Sequence, residues 1–332
     1  MLAILSGGAT TPQIVAFLVA LKAKGETVDE LVGFVRAMRD KVTPVEPRLN
    51  GEPLLDTCGT GGGDAITFNI STLAAFVAAG AGARVAKHGN RSNSTPCGSA
   101  DILEELGVNI ATTPQEMSRA IEQVGIGFLF AQTLHPAMKH AQPARAELKL
   151  RTVFNLLGPL SNPAGAKRQL IGAPSPATAQ LLAQALTSLD MERVFVVHGA
   201  SGLDEVSTTG STLVFEVHGD QLRRFEWTPE EFGVSRTTID TLSGGARSEN
   251  RRIALEVLQG IPGPARDIVL VNAAAALMAH AGSDDKREAM DRAAHSIDSG
   301  AALRKVHALR SLRNDHVADR SAPNKVAGDT PG

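Results

Sequence analysis

At 332 residues, with 43% hydrophobic and 20% charged side chains, the chain is long enough for two domains with sizeable cores. Its 33 Lys and Arg against 35 Asp and Glu leave a net charge of −2, which argues against bulk nucleic-acid binding, normally the work of a strongly basic domain. The apolar stretches Leu73–Ala83 and Ala273–Ala279 are too short and too Ala-rich for membrane spans. The opening MLAILSGGATTPQ lacks the basic flank and longer apolar region of a signal peptide. Cys58 and Cys97 make neither a disulfide framework nor a metal spacing, so a reduced, cytoplasmic protein is expected.

Two amphipathic helices come first. Pro12–Lys24 puts Ile14, Phe17, Leu18 and Leu21 on one face, and Val28–Arg39 does the same with Leu31, Val32, Val35 and Met38. Gly25 ends the first and Thr27 caps the second. A linker with Pro44, Pro47 and Pro53 follows. Beyond it, short apolar runs at Leu54–Thr57, Arg84–Ala86, Ile126–Ala131, Leu170–Ala173 and Arg193–Val197 alternate with helical texture, which predicts a largely parallel sheet covered on both faces. Thr212–Val217 and Gln221–Glu226 flank His218-Gly219-Asp220 and predict an antiparallel hairpin, hence a mixed sheet. The helical texture of 113–151, interrupted by the Ile126 strand, is expected to rejoin the N-terminal helices. The expected organisation is thus a small helical domain (1–48 and 113–150), a larger α/β domain (49–112 and 151–314), and a polar, disordered tail (315–332).

Four segments carry chemistry. Asp56-Thr-Cys-Gly-Thr-Gly-Gly-Gly-Asp64 follows a strand, and its glycines can turn tightly and aim N–H groups at an anion; it fits neither a Walker loop nor a dinucleotide fingerprint, and alone reads equally well as a flexible connection. Thr67-Phe-Asn-Ile-Ser-Thr72 opens an apolar helix. Asn69 and Ser71 suit an N-cap, and the same helix start, with its free N–H groups and positive dipole end, suits an anion. The stretch 87–101 packs Lys87, His88, Asn90, Arg91, Ser92, Ser94, Thr95 and Ser99 into thirteen positions, a density of donors that suits phosphate oxygens better than a bare solvated loop. In 196–205, after a Gly turn, Asp204 and Glu205 offer the oxygen ligands that magnesium prefers; in an irregular loop they could share one site or serve separate ions.

With GTGGGD at 59–64, TFNIST at 67–72, KHGNRS at 87–92, GSAD at 98–101, TVFNLLGPLSNP at 152–163, HGASGLDE at 198–205 and VNAAAAL at 271–277, the chain resembles the anthranilate phosphoribosyltransferases from about Thr11 to Leu312. The resemblance implies a helical domain plus an α/β domain with a mixed sheet, a homodimer formed through the helical domain, and transfer of the phosphoribosyl group of phosphoribosyl diphosphate (PRPP) to the amine of anthranilate in tryptophan biosynthesis. It places PRPP over Gly59, Gly61, Gly62, Gly63, Asp64, Thr67, Asn69, Ile70, Ser71, Thr72 and the whole of Lys87–Thr95 (His88, Gly89, Asn90, Arg91, Ser92, Asn93 and Ser94 included), together with Ser99. Anthranilate falls to Gly59, His88, Asn90, His135 and Arg145, with Arg151 in reserve for its carboxylate. Two Mg²⁺ per subunit fall to Ser71, Asp204 and Glu205. No acid or base is assigned, because the aromatic amine is already neutral at pH 7, and both cysteines are read as inert. Two departures stand out. The family usually reads Gly-Thr-Gly-Gly-Asp-Gly where this chain exchanges Gly63 and Asp64, and it usually begins earlier, so an N-terminal helix is expected to be missing. A pyrimidine nucleoside phosphorylase-like enzyme and a non-catalytic nucleic-acid-binding relative are the alternatives.

Overall fold

The computed structural model describes residues 1–92 and 95–312. Asn93, Ser94 and the expected tail at 315–332 lie outside the described residues. The chain opens with α1 (Leu2–Leu5), α2 (Thr11–Lys24) and α3 (Val28–Arg39). Thr10 and Thr27 cap α2 and α3 through reciprocal bonds with Gln13 and Glu30, and Gly25 closes α2 at φ 84°. Then follow β1 (Leu54–Asp56), α4 (Ile70–Gly80), β2 (Arg84–Gly89), α5 (Ser99–Glu105), α6 (Pro114–Val124), β3 (Ile126–Phe130), α7 (Ala131–Leu134), α8 (Gln142–Leu148), α9 (Val153–Leu160), β4 (Arg168–Gly172), α10 (Pro176–Leu186), β5 (Arg193–Gly199), β6 (Thr212–His218), β7 (Gln221–Trp227), α11 (Arg247–Leu258), α12 (Pro264–Ala281), α13 (Lys286–Asp298) and α14 (Ala301–Ser311).

All seven expected strands are present, in the order β3-β2-β1-β4-β5-β6-β7. The first five run parallel, and β5-β6-β7 are antiparallel neighbours, so the sheet is mixed. One face is covered by α4, α12, α13 and α14, whose alanines and small residues allow close crossings. A Cβ on Gly80 would stand 2.2 Å from the Ser296 hydroxyl and 2.7 Å from the Ala302 nitrogen. The other face packs on α10 and α9 and, through them, on α2 and α3.

The stretch 113–150 divides. α6 lies against β3 and β2, burying Met117, Ala120, Ile121 and Val124, whereas α8 rests on α2. The physical reason is local. Only Gly125 separates α6 from β3, so the helix folds back on the strand it feeds, and Gly127 lets it approach until a Cβ there would meet Ile121 at 2.7 Å.

The strand order reverses at β1 and β4. From β1 the chain moves outward to β2 and β3, then returns to place β4 on the other side of β1. In open α/β sheets, ligands bind in the crevice at the carboxyl ends of the strands at such a point. All four chemical segments gather there. The Gly loop leaves β1 and runs on to the start of α4, the Lys87 segment ends β2, and the Asp204 loop leaves β5, with Gly172 at the end of β4 between them.

Candidate active site

The Gly loop is pinned at both ends. The Thr60 N–H donates to the Gly172 carbonyl (3.0 Å) and the Asp64 N–H to the Gly202 carbonyl (3.1 Å). Between them Gly61 and Gly62 adopt φ 64° and 85°, which L side chains resist. Gly63 abuts the opposite loop, where a Cβ would lie 2.8 Å from both Asp204 Oδ1 and the Gly202 oxygen. The exchanged order thus has a steric sense here: position 63 has no room for a carboxylate, and the Asp64 side chain lies against Gly202 instead.

Glu205 reaches the second segment. The Ser71 N–H, in the first turn of α4, donates to Glu205 Oε1 at 3.2 Å, and the Thr57 hydroxyl donates to the Ser71 carbonyl at 3.0 Å. Burial, then the neighbouring Asp204 charge, pushes the Glu205 carboxyl up to about 8, and burial also raises Asp204. The irregular loop sends the two acids to different neighbours, Glu205 to α4 and Asp204 to the Gly loop. Two half-buried carboxylates, neither of them in an ion pair among the described residues, form a donor set that fits a divalent cation. The loop is clamped from behind by Asn272 of α12, whose side chain accepts from the Val206 N–H and donates to the Val206 carbonyl, both at 2.9 Å.

The third segment is more buried than a loop reading implies, because β2 continues through Lys87 and His88 to Gly89 beside β3. The Lys87 ammonium, 3% exposed, donates to the carbonyls of Thr57 (3.2 Å) and His88 (3.3 Å). The His88 N–H donates to Asp56 Oδ1, and Asn162 bridges Asp56 Oδ2 (2.7 Å) and the Ala86 carbonyl. His88 Nδ1 faces the Gly158 carbonyl at 3.0 Å and Nε2 faces His135 Nε2 at 3.1 Å. A carbonyl only accepts, so His88 carries its proton on Nδ1, His135 donates from Nε2, and the unprotonated His135 Nδ1 is a buried acceptor without a partner among the described residues. Burial lowers His88 to about 3 and His135 to about 4, so both are neutral near pH 7.

Asp56 and Cys58 of the first segment meet His88 of the third with ligand atoms within 4.8 Å of one another. Asp56 and both His88 ring nitrogens are already engaged, and burial pushes the Cys58 thiol up to about 12, so this trio has no ligand atoms to spare for a metal.

Asn69 corrects the capping expectation: it precedes α4, but its side chain makes no cap bond. It donates to the Cys97 carbonyl (3.0 Å) and accepts from Asn250 (3.2 Å), while Thr67 pairs with Ser243. Arg91 is tied to Asp101 (2.9 Å) and Glu104 (2.6 Å), which anchors the loop to α5. Asn90 and Ser99 bond reciprocally at 3.1 Å, and Gln132 donates to the Asn90 side-chain oxygen. Thr95 bonds the Ser92 hydroxyl at 2.7 Å. Ile70 and Thr72 are buried at the start of α4. Arg145 is partly buried with its guanidinium 5.5 Å from the Phe154 ring centroid, and Arg151 donates to the Thr60 carbonyl at 3.2 Å. Through Thr57, Asp64 and Glu205, the segments 59–64, 71, 87–88 and 202–205 therefore come together at the carboxyl ends of the strands. The sequence alone assigns no role to Asn272, Asn250, Asn162 or Asp56, although Asp56 opens the Gly segment and Asn162 and Asn272 stand in the motifs at 152–163 and 271–277.

The chain thus joins a helical bundle to a mixed sheet and sets a glycine-rich loop against two half-buried carboxylates, the layout of a glycosyl transferase. Consistently, residues 1–42 match the model of the glycosyl transferase family helical bundle domain and residues 51–303 that of its a/b domain. An anthranilate phosphoribosyltransferase of Solibacter usitatus is 59% identical over 306 residues, covering 92% of this chain and 90% of that protein. The crystal structure of the anthranilate phosphoribosyltransferase from Thermus thermophilus superposes with a TM-score of 0.87 at 40% identity, covering 94% of this chain and 93% of that one. The Saccharomyces cerevisiae enzyme in complex with PRPP and Mg gives 0.85 at 29% identity over 92% and 86%. The chain belongs to the anthranilate phosphoribosyltransferase family.

Proposed function

We propose that this cleft transfers the phosphoribosyl group of PRPP to the amine of anthranilate, giving N-(5-phosphoribosyl)anthranilate and diphosphate, a step of tryptophan biosynthesis. The observation that carries the reading is the convergence of the Gly loop, the start of α4 and the Asp204–Glu205 loop on one side of the β1–β4 crevice.

In the reaction the amine nitrogen bonds to ribose C1, the C1–oxygen bond breaks, its electron pair leaves with diphosphate, and the proton shed by the nitrogen passes to solvent. Negative charge grows on the leaving group, so donors already aimed at it lower the barrier. The Gly-loop amides, the first turn of α4 and residues 87–99, including Asn93 and Ser94, are assigned to PRPP. Ser71, Asp204 and Glu205 are assigned to Mg²⁺, with two ions per subunit; bound there, Mg²⁺ supplies charge neutralisation of the diphosphate. On the acceptor side, His88, Asn90, His135 and Gly59 line the anthranilate pocket and Arg145 grips the carboxylate with two parallel hydrogen bonds. The neutral histidine pair suits the acceptor side, because it orients an already neutral amine without adding charge, and positioning does the rest.

The organisation proposed with this reading is a helical unit of 1–48 and 131–150 and an α/β unit of 49–130 and 151–312. A homodimer through the helical unit is proposed with it. Among the described residues no helix is long and apolar enough to cross a membrane.

Phosphoribosylanthranilate formation, followed by fluorescence with and without Mg²⁺, tests the assignment. Product is expected only when PRPP, anthranilate and Mg²⁺ are all present. Turnover of a pyrimidine nucleoside with phosphate, and none of PRPP, would overturn it.

A further inference from the structure

Of the cations at or beside the proposed site, Lys87 and Arg91 are committed to other groups and Arg145 lies against an aromatic ring. Lys87 is 3% exposed and gives two of its donors to the carbonyls of Thr57 and His88. Arg91 is held by Asp101 and Glu104, away from the Gly loop. Arg145 stands over the Phe154 ring.

Arg151 is different. Its Nη2 donates to the Thr60 carbonyl at 3.2 Å, and its guanidinium fills the space beside Gly62, where a Cβ would meet Nη1 at 1.9 Å and Cζ at 2.4 Å. Asp204 lies near enough for its charge to act on the guanidinium, which is partly buried. That one hydrogen bond is all the structure gives it among the described residues, so most of its five N–H donors remain uncommitted on the lip of the glycine loop. No side chain intervenes, because Gly61 and Gly62 have none and sit at positive φ.

We infer that Arg151 is a ligand of the diphosphate of PRPP, holding it against the Gly loop, and not a second clamp for the anthranilate carboxylate. The planar fork of a guanidinium matches two oxygens of a phosphoryl group, and its permanent charge stands where the departing diphosphate gathers negative charge. A division of labour follows between two arginines six positions apart: Arg151 serves the leaving group and Arg145 the acceptor. The inference rests on the PRPP reading of the cleft given above.

The test uses the full chain and inorganic diphosphate with Mg²⁺, titrated calorimetrically into the wild type, Arg151→Ala, Arg151→Lys and Arg145→Ala. KM for PRPP and for anthranilate is measured alongside, and melting curves check folding. Arg151→Ala is expected to weaken diphosphate about 10- to 100-fold and to raise the PRPP KM, with the anthranilate KM unchanged. Arg151→Lys, which keeps the charge and the apolar stem but loses the fork, is expected to fall between, and it carries the test if the alanine variant does not fold. Arg145→Ala is expected to keep wild-type diphosphate affinity. Diphosphate affinity unchanged in both Arg151 variants, or an Arg151 effect confined to the anthranilate KM, overturns the inference alone. A wild type that binds no diphosphate overturns both this inference and the reading of the cleft.

Discussion

The histidine pair makes the acid stability of the protein calculable. His88 and His135 are neutral in the folded chain because burial lowers them to about 3 and about 4, whereas an unfolded histidine titrates near 6.5. Between pH 7 and pH 5 the unfolded chain therefore takes up most of a proton per histidine and the folded chain almost none. Stability falls with falling pH: the contribution is complete above 6.5 and is lost progressively down to about 4 and 3, where both states are charged. Over those two pH units each histidine costs about 2 kcal/mol, and the pair about 4 kcal/mol. Glu205 acts in the opposite sense, since its carboxyl is raised to about 8 and the folded state holds that proton first. Comparing wild type with His135→Asn removes this opposing contribution, which both proteins share. Urea unfolding at pH 7 and pH 5, followed by the fluorescence of the single, buried Trp227, gives the two stability gaps. The gap between wild type and variant should shrink by about 2 kcal/mol on going to pH 5, because the variant has one proton fewer to take up. Equal gaps at both pH values would refute a buried neutral His135.

Three further outcomes are expected. Asp204→Asn combined with Glu205→Gln should lower kcat/KM about 100-fold or more and flatten the dependence on Mg²⁺; a normal magnesium response would remove these acids from the metal site. Gly172→Ala would place a Cβ 1.7 Å from the Asp204 carbonyl, so a loss of about 2 kcal/mol and a raised Mg²⁺ midpoint are expected; a melting temperature equal to that of the wild type would show that the two loops are not in contact. Glu216 is 2% exposed between Arg193 (2.9 Å) and Arg223 (3.0 Å), so Glu216→Gln should destabilise by about 3 kcal/mol in urea unfolding, and a change below about 0.5 kcal/mol would contradict that bridge.

Most strands are legible in the sequence because they are short apolar runs that end in glycine or a polar turn, β7 because it pairs with β6 across His218-Gly219-Asp220, and the first two long helices because Gly25 and Thr27 mark their ends. β2 runs further than its apolar residues suggest, for a physical reason. Lys87 and His88 look like loop residues until Asp56, Thr57 and His135 arrive from other segments to satisfy them. The phosphate-directed segments show in composition, since donors and glycines cluster locally. Their mutual support does not: Asn272 bonds Val206 from 66 positions away and Asn250 bonds Asn69 from 181. Pairings at that range leave no periodicity to read. The placement of α6 is equally hidden, because amphipathic helices look alike whether they cover a sheet or another helix.

The Asn272 clamp has a consequence for how this protein can change. The acidic loop is moored to a helix whose neighbouring positions, Ala273–Ala276, are fully buried, in a close-packed interior where added volume is felt. A bulkier residue there would slide α12 relative to the sheet and drag the mooring with it. Heat should therefore disable the enzyme as one event, with cation affinity fading at the temperature where α12 loosens, and gains in thermostability won along that helix should prolong activity to the same degree.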